Sequence, residues 1–142
     1  MEIREYTENR EEEILNLYDS VGWAAYTADM PALEQGFRNS LLVLAAYEGG
    51  KLIGIIRAVG DGATVVFIQD LIVDRDHQHQ GVRTALLKAV LDRYSHVRQI
   101  ELTTDCTPET LSFYKSLGFR ELSEIGCCGF MKYNANSGGS HD

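Results

Sequence analysis

Asp70-Leu71-Ile72-Val73-Asp74-Arg75-Asp76-His77-Gln78-His79-Gln80-Gly81-Val82-Arg83-Thr84-Ala85-Leu86-Leu87 reads as three pieces in succession. Its first residues close a run from Thr64 to Val73 that is rich in Val, Phe and Ile and broken only by Gln69 and Asp70, the pattern of a central strand covered on both faces. A polar loop follows. From Gly81 to Tyr94 the residues Val82, Ala85, Leu86, Ala89 and Val90 share one helical face, and Arg98 to Thr104 returns to strand, which makes the stretch a βαβ unit. Just beyond the first strand, the open N–H groups of a helix start and the positive end of its dipole converge, and a pyrophosphate fits there. Joints of this kind also occur as plain structure, so the geometry by itself leaves both readings open.

Working outward, Leu41 to Tyr47 and Lys51 to Val59 are apolar runs joined by Glu48-Gly49-Gly50, a hairpin signal, and Asp61-Gly62 supplies the next turn. Glu2 to Tyr6 alternates as a first strand. Glu8 to Val21 carries Ile14, Leu17, Tyr18 and Val21 at helical spacing, with Glu11, Glu12 and Glu13 matched to the dipole of its first turns. Gly22 ends that helix, Trp23 to Thr27 is expected to be a loop with two aromatics, and Pro31 to Asn39 a second helix. Downstream, Thr107 caps a helix with Pro108 in its first turn and Gly118 after its last, and Phe119 to Ser123 and Cys127 to Tyr133 read as two closing strands around Gly126. Residues 134–142 lack an apolar anchor and are expected to form a disordered tail. The expected fold is α/β, a mixed, mostly antiparallel sheet with helices on both faces in the order β-α-α-β-β-β-α-β-α-β-β, as one domain over residues 1–133.

A chain of 142 residues has room for one domain, since domains usually take roughly 100 to 200 residues. Hydrophobic residues at 44% and charged ones at 24% exclude disordered and fibrous classes. The net charge of −8 argues against nucleic acid and membrane surfaces as partners, while a phosphate can still be held locally by backbone N–H groups. Cys106, Cys127 and Cys128 form no disulfide framework and are expected to be small core or strand residues in a reducing cytosol. With no targeting or membrane-spanning pattern, the expected location is cytoplasmic.

The central stretch resembles the acetyl-CoA motif of the GNAT superfamily of N-acetyltransferases, which reads Leu-x-Val, a spacer, then Gln/Arg-x-x-Gly-x-Gly/Ala before a helix with Leu-Leu. Leu71 and Val73 match the strand end, Gln78 and Gly81 the loop, and Ala85-Leu86-Leu87 the helix. A second family element, a short helix with a tyrosine that ends in Leu-Gly-Phe, is matched by Phe113 to Phe119. Arg83 departs from the pattern by replacing the last small residue of the loop. Its N–H survives the change, and its guanidinium either contacts a phosphate or is simply an exposed helix residue. The resemblance implies acetyl-CoA as cofactor, with the pantetheine arm along Leu71, Ile72 and Val73 and the pyrophosphate at Gln78, His79, Gln80, Gly81, Val82, Arg83 and Thr84. It makes Tyr114 the general acid toward the departing thiolate, against a plain reading as a packed aromatic. Val21-Gly22-Trp23, Tyr26, Gln69 to Val73 and Gln78 to Gly81 are similar to plant-type serotonin and other arylalkylamine acetyltransferases. That likeness would set an aromatic or aliphatic small-molecule amine against Trp23 and Tyr26 with Asp70 beneath it, against a plain reading of the two aromatics as packing between helix and sheet.

A primary alkylamine with a pKa near 10.4 must lose a proton to react, at a cost of about 4.6 kcal/mol at pH 7, so a base is useful. Asp70 is the candidate, since a carboxylate at the centre of a sheet is expensive without a role; the alternative is an aspartate satisfied by backbone donors or paired with an arginine such as Arg57. His77 and His79 read as loop residues, and no metal site is expected. Cys106 has no histidine placed to activate it, which favours direct transfer over an acyl-enzyme. The leading reading is therefore an acetyl-CoA-dependent N-acetyltransferase, the alternative a non-catalytic CoA-sensing or partner-binding module. A homodimer is compatible with the sequence but fixed by none of its features.

Overall fold

The first strand, β1 (Glu2–Glu5), is followed by α1 (Glu11–Ser20), a single-turn α2 (Ala24–Thr27) and α3 (Met30–Arg38). Asp29 caps α3 by accepting the Ala32 N–H, and Pro31 stands in its first turn. Next come β2 (Leu42–Glu48), β3 (Lys51–Gly60), β4 (Val65–Val73), α4 (Val82–Arg93), β5 (Gln99–Leu102) and α5 (Pro108–Ser116). These elements are seen in a computed structural model that describes residues 1–134, so all but the first residue of the expected tail lies outside the described residues. The chain divides into two compact units, one over Met1–Leu102 and the other starting at Thr103.

In the first unit the strands form one sheet in the order β1-β2-β3-β4-β5, antiparallel from β1 to β4 and parallel between β4 and β5. That is the mixed, mostly antiparallel sheet the sequence implies. The parallel pair follows from the βαβ connection through α4, and the antiparallel pairs β2-β3 and β3-β4 from the tight turns at Gly49-Gly50 and Gly62. Apolar stripes cover both faces of the sheet. On one, Ile14, Leu17 and Tyr18 of α1 and Leu33 of α3 pack with Val43, Ala45, Ile55 and Ile72 into a single core cluster. On the other, α4 turns Val82, Leu86, Leu87 and Val90 inward, and the first two lie closest to the sheet at Gly54. A Cβ on Gly54 would come within 2.9 Å of Val82 Cγ1 and 3.1 Å of Leu86 Cδ1, so the missing side chain is what lets the helix lie that close.

Three expectations are corrected. Phe119 to Ser123 and Cys127 to Tyr133 are not strands; among the described residues the sheet ends at β5, and Leu122–Ile125 is a short 3-10 turn. Local chemistry decides this. Glu121 and Glu124 cap each other's backbone N–H groups reciprocally, and Gly126, at φ +78°, turns the chain away. A strand also needs a neighbour for its backbone groups, and no ladder reaches these residues. Phe130 accordingly stands 96% exposed, and Cys106, Cys127 and Cys128 are exposed rather than core residues. The aromatic loop, for its part, winds into the one turn of α2. Among the described residues no helix is long and apolar enough to cross a membrane.

Overpacking the α4 contact is expected to cost about 1–3 kcal/mol. Gly54→Ala should therefore lower the melting temperature by roughly 3–10 °C in a thermal scan. An unchanged melting temperature would show that α4 does not rest on the sheet there.

Candidate active site

Strand β4 has two unlike edges. Against β3 it is paired from Val66 to Val73, whereas β5 pairs only with Val65, Val66, Phe67 and Ile68. The β3 ladder also slips: Ala58 faces Ile68 and Arg57 faces Asp70, which leaves Gln69 as an extra residue, a β-bulge. Beyond the bulge, Asp74 donates its N–H to the Ile53 carbonyl at 2.8 Å. Because backbone groups alternate along a strand, Leu71 and Val73 turn theirs to the side that β5 does not cover. There the Gln78 side-chain amide donates to the Val73 carbonyl at 3.2 Å. The sequence-expected residues Leu71, Val73 and Gln78 thus meet along one open strand edge, while Ile72 points into the core.

The chain leaves β4 through a 3-10 turn at Arg75–His77. Asp74 fixes this exit: its carboxylate is 2.8 Å from His77 Nδ1 and 3.8 Å from Lys51 Nζ, and its carbonyl accepts the His77 N–H. Burial opposes the charge on Asp74, but the His77 hydrogen bond and the nearby Lys51 hold its pKa below the ordinary carboxylate value. His77 is therefore an anchor of the loop. His79 at φ +64° and Gly81 at φ +86° then swing the chain into α4. Gly81 is the N-cap and supplies no capping side chain, so the first-turn N–H groups of Val82 and Thr84 keep the donor capacity of a helix start. Gln78, His79, Gln80 and Gly81 lie at the surface, and Arg83 is half-buried. An open strand edge that leads into bare helix N–H groups suits an extended amide chain ending in a pyrophosphate.

The bulge also brings adjacent residues of β4 to the same helices. Asp70 is sealed from solvent, and its Oδ2 accepts two hydrogen bonds, from Arg57 Nε at 2.7 Å and from the Tyr18 hydroxyl at 2.8 Å. Its Oδ1 is buried and has no partner among the described residues. Arg57 reaches Ser40 Oγ with Nη1 at 3.3 Å and lies over the Phe37 ring at 5.4 Å. Burial works against the Arg57 charge and Asp70 more than offsets it, leaving its pKa above the usual value; burial first and Asp70 second push the Tyr18 hydroxyl far up. Trp23 and Tyr26 stack at 5.7 Å, and each meets the Tyr18 ring edge-on at 6.1 and 5.7 Å. Gln69 Nε2 donates to the Tyr26 hydroxyl at 2.9 Å.

Trp23, Tyr26 and Asp70, all expected from the sequence, therefore gather at one place around Tyr18. Gln69 and Tyr18 were not singled out as site residues. Tyr18 hides within a core stripe, and Gln69 acts there only because of a bulge that no glycine or proline marks. Arg57 is the partner that the alternative reading of Asp70 named.

In the second unit, Thr107 caps α5 by accepting the Thr110 N–H at 3.2 Å. Tyr114, in the third turn of α5, meets the rings of Phe113 and Phe119 edge-on at 5.0 and 5.7 Å. Its carbonyl accepts the Phe119 N–H at 3.1 Å as Gly118 turns the chain back. Lys115 pairs with Glu121 at 2.9 Å and Glu124 at 3.6 Å.

Comparison with known proteins agrees with this fold. A GNAT-family acetyltransferase of Streptococcus pneumoniae superposes with a TM-score of 0.84 at 36% identity, over 95% of this chain and 98% of that one. An N-acetyltransferase from Thermoplasma acidophilum, solved in complex with coenzyme A, shares the fold at a TM-score of 0.68 and 16% identity, over 84% and 89% of the two chains. Among curated proteins, an uncharacterized N-acetyltransferase, ycf52, of the alga Gracilaria tenuistipitata is 33% identical over 109 residues, 72% of this chain and 58% of its own length. The chain spans between half and two thirds of the length of the curated relatives it matches. The family model described as an acetyltransferase (GNAT) domain matches residues 5–129, and the chain belongs to that family.

Proposed function

We propose that this protein is an acetyl-CoA-dependent N-acetyltransferase that moves an acetyl group to the primary amine of a small molecule by direct transfer, with residues 1–133 as its single catalytic domain. The observation that carries the reading is the open edge of β4 at Leu71 and Val73, which runs into the bare N–H groups at the start of α4. Bound acetyl-CoA would supply the acetyl group as a thioester. In this reading Leu71 and Val73 take the amides of the pantetheine arm by strand addition, Ile72 anchors that stretch in the core, and Gln78, His79, Gln80, Gly81, Val82, Arg83 and Thr84 surround the pyrophosphate. Arg83 sits in the first helical turn, and its guanidinium adds a charged donor where the family motif has a small residue.

Trp23 and Tyr26 provide the apolar wall for the carbon part of the amine, and Asp70 is the final acceptor of its proton. The net charge of −8 favours a cationic acceptor over an anionic one. Tyr114 donates a proton to the thiolate as it leaves, and Cys106 carries no acyl group.

The test of the reading is release of free thiol from acetyl-CoA in the presence of a panel of primary alkyl and arylalkyl amines. Steady, amine-dependent release is expected. Binding of CoA without release in the presence of any amine would overturn catalysis in favour of a CoA-sensing module. Within an active protein, Tyr114→Phe should lower kcat by about 10- to 100-fold while leaving acetyl-CoA affinity within about twofold. An unchanged kcat would remove Tyr114 from the reaction.

A further inference from the structure

The Asp70 carboxylate is loaded on one side only. Arg57 and Tyr18 both donate to Oδ2, at 2.7 and 2.8 Å, while Oδ1 is buried with no partner among the described residues. Leaving a buried charged oxygen unpaired is costly, so a donor is expected to serve it. An amine cannot reach it directly, because the Asp70 side chain is 0% exposed. Tyr18 is equally sealed, and its hydroxyl is already committed to Oδ2.

Tyr26 differs from both. It is half-buried, stacked on Trp23 and in edge contact with Tyr18. Its hydroxyl oxygen accepts the Gln69 amide N–H at 2.9 Å, so its own proton must be donated elsewhere. Gln69 is the bulged residue directly before Asp70, which puts the hydroxyl beside the aspartate. Burial raises the Tyr26 pKa above its ordinary value, and the Asp70 charge adds to the rise, as expected for a neutral hydroxyl facing a carboxylate.

Resting on the reading of this site as an amine acetyltransferase, we infer that Tyr26 is a further catalytic residue, whose hydroxyl carries the proton of the acceptor ammonium to Asp70 Oδ1. The N–H bond of the ammonium breaks as its proton passes to Tyr26 Oη, and the proton that Tyr26 already held passes to Oδ1. The amine gains its lone pair, the tyrosine ends neutral, and Asp70 ends as a carboxylic acid. The proton returns to solvent by the same route after the amide product leaves. Arg57 and Tyr18 are positioning residues that keep Oδ2 occupied and Oδ1 as the free acceptor, and Gln69 orients the hydroxyl.

The experiment compares the fastest amine of the panel with its β,β-difluorinated analogue, whose nitrogen is weakly basic and neutral in a substantial fraction at pH 7. In Tyr26→Phe, kcat/KM for the parent amine should fall by about 100-fold at pH 7, and the loss should shrink as the pH approaches the pKa of that amine. The fluorinated amine should lose less than about threefold, since a substantial fraction of it needs no proton removed. Gln69→Glu, which offers the hydroxyl a carboxylate in place of an N–H donor, should reproduce this dependence on amine basicity. Unchanged melting temperatures would show that both variants remain folded. An equal loss on the two amines, or no loss on either, would overturn the relay while leaving acetyl transfer standing. A complete lack of turnover in the unsubstituted protein would overturn both.

Discussion

Strand β4 is paired along its length on one edge and along less than half of it on the other, and the rest of the site follows from that inequality. The change comes at Gln69, where an extra residue enters the strand. A bulge bends its strand and increases the local twist, which accounts for β5 stopping at Ile68 while β3 continues to Val73. Leu71 and Val73 are left with backbone groups that no strand among the described residues takes, and Gln69 and Asp70 are left reaching toward the same pair of helices. One irregularity thus creates both halves of the proposed site, an edge for an extended amide chain and a polar cluster for an amine.

The polar cluster is expensive. Asp70 and Arg57 are both buried, and removing one member of such a pair typically costs about 3–5 kcal/mol, because the other is left charged and alone. Hydrophobic residues could fill the same volume at less risk to stability. Much of the surrounding packing nevertheless goes into holding the pair: Tyr18 spends its hydroxyl on Oδ2, Ser40 and Phe37 receive the guanidinium, and Trp23 and Tyr26 close around Tyr18. A carboxylate built in at that cost, with one oxygen that has no partner among the described residues, is compatible with the proton-accepting role proposed for it.

The sequence disclosed the parts of the fold that depend on regular spacing. The apolar run from Thr64 to Val73, the helical face from Val82 to Val90 and the glycine turns after Glu48 were each legible, and they fix the sheet order and the loop at Gly81. Asp70 stood out because a charge in an apolar run needs a reason, and Arg57 was named as an arginine that could pair with it. What stayed hidden depended on broken spacing. Alternation assigns neighbouring residues to opposite faces, so nothing in Gln69-Asp70 signals that both serve one site. The closing strands were misread because the apolar residues from Cys127 to Tyr133 show what a strand could be, whereas its formation depends on a neighbour that local sequence does not reveal. Trp23 to Thr27 read as a loop because one turn of helix is too short to display a period.

The central claim is that the β4 edge and the start of α4 form one continuous surface for acetyl-CoA. Titration of acetyl-CoA into the isotopically labelled protein, followed by backbone amide resonances, tests it residue by residue. The account predicts the largest shifts at Leu71, Val73 and from Gly81 to Thr84, with the paired residues of β2 nearly unmoved. Saturable binding that leaves those amides in place and shifts another part of the surface would contradict it.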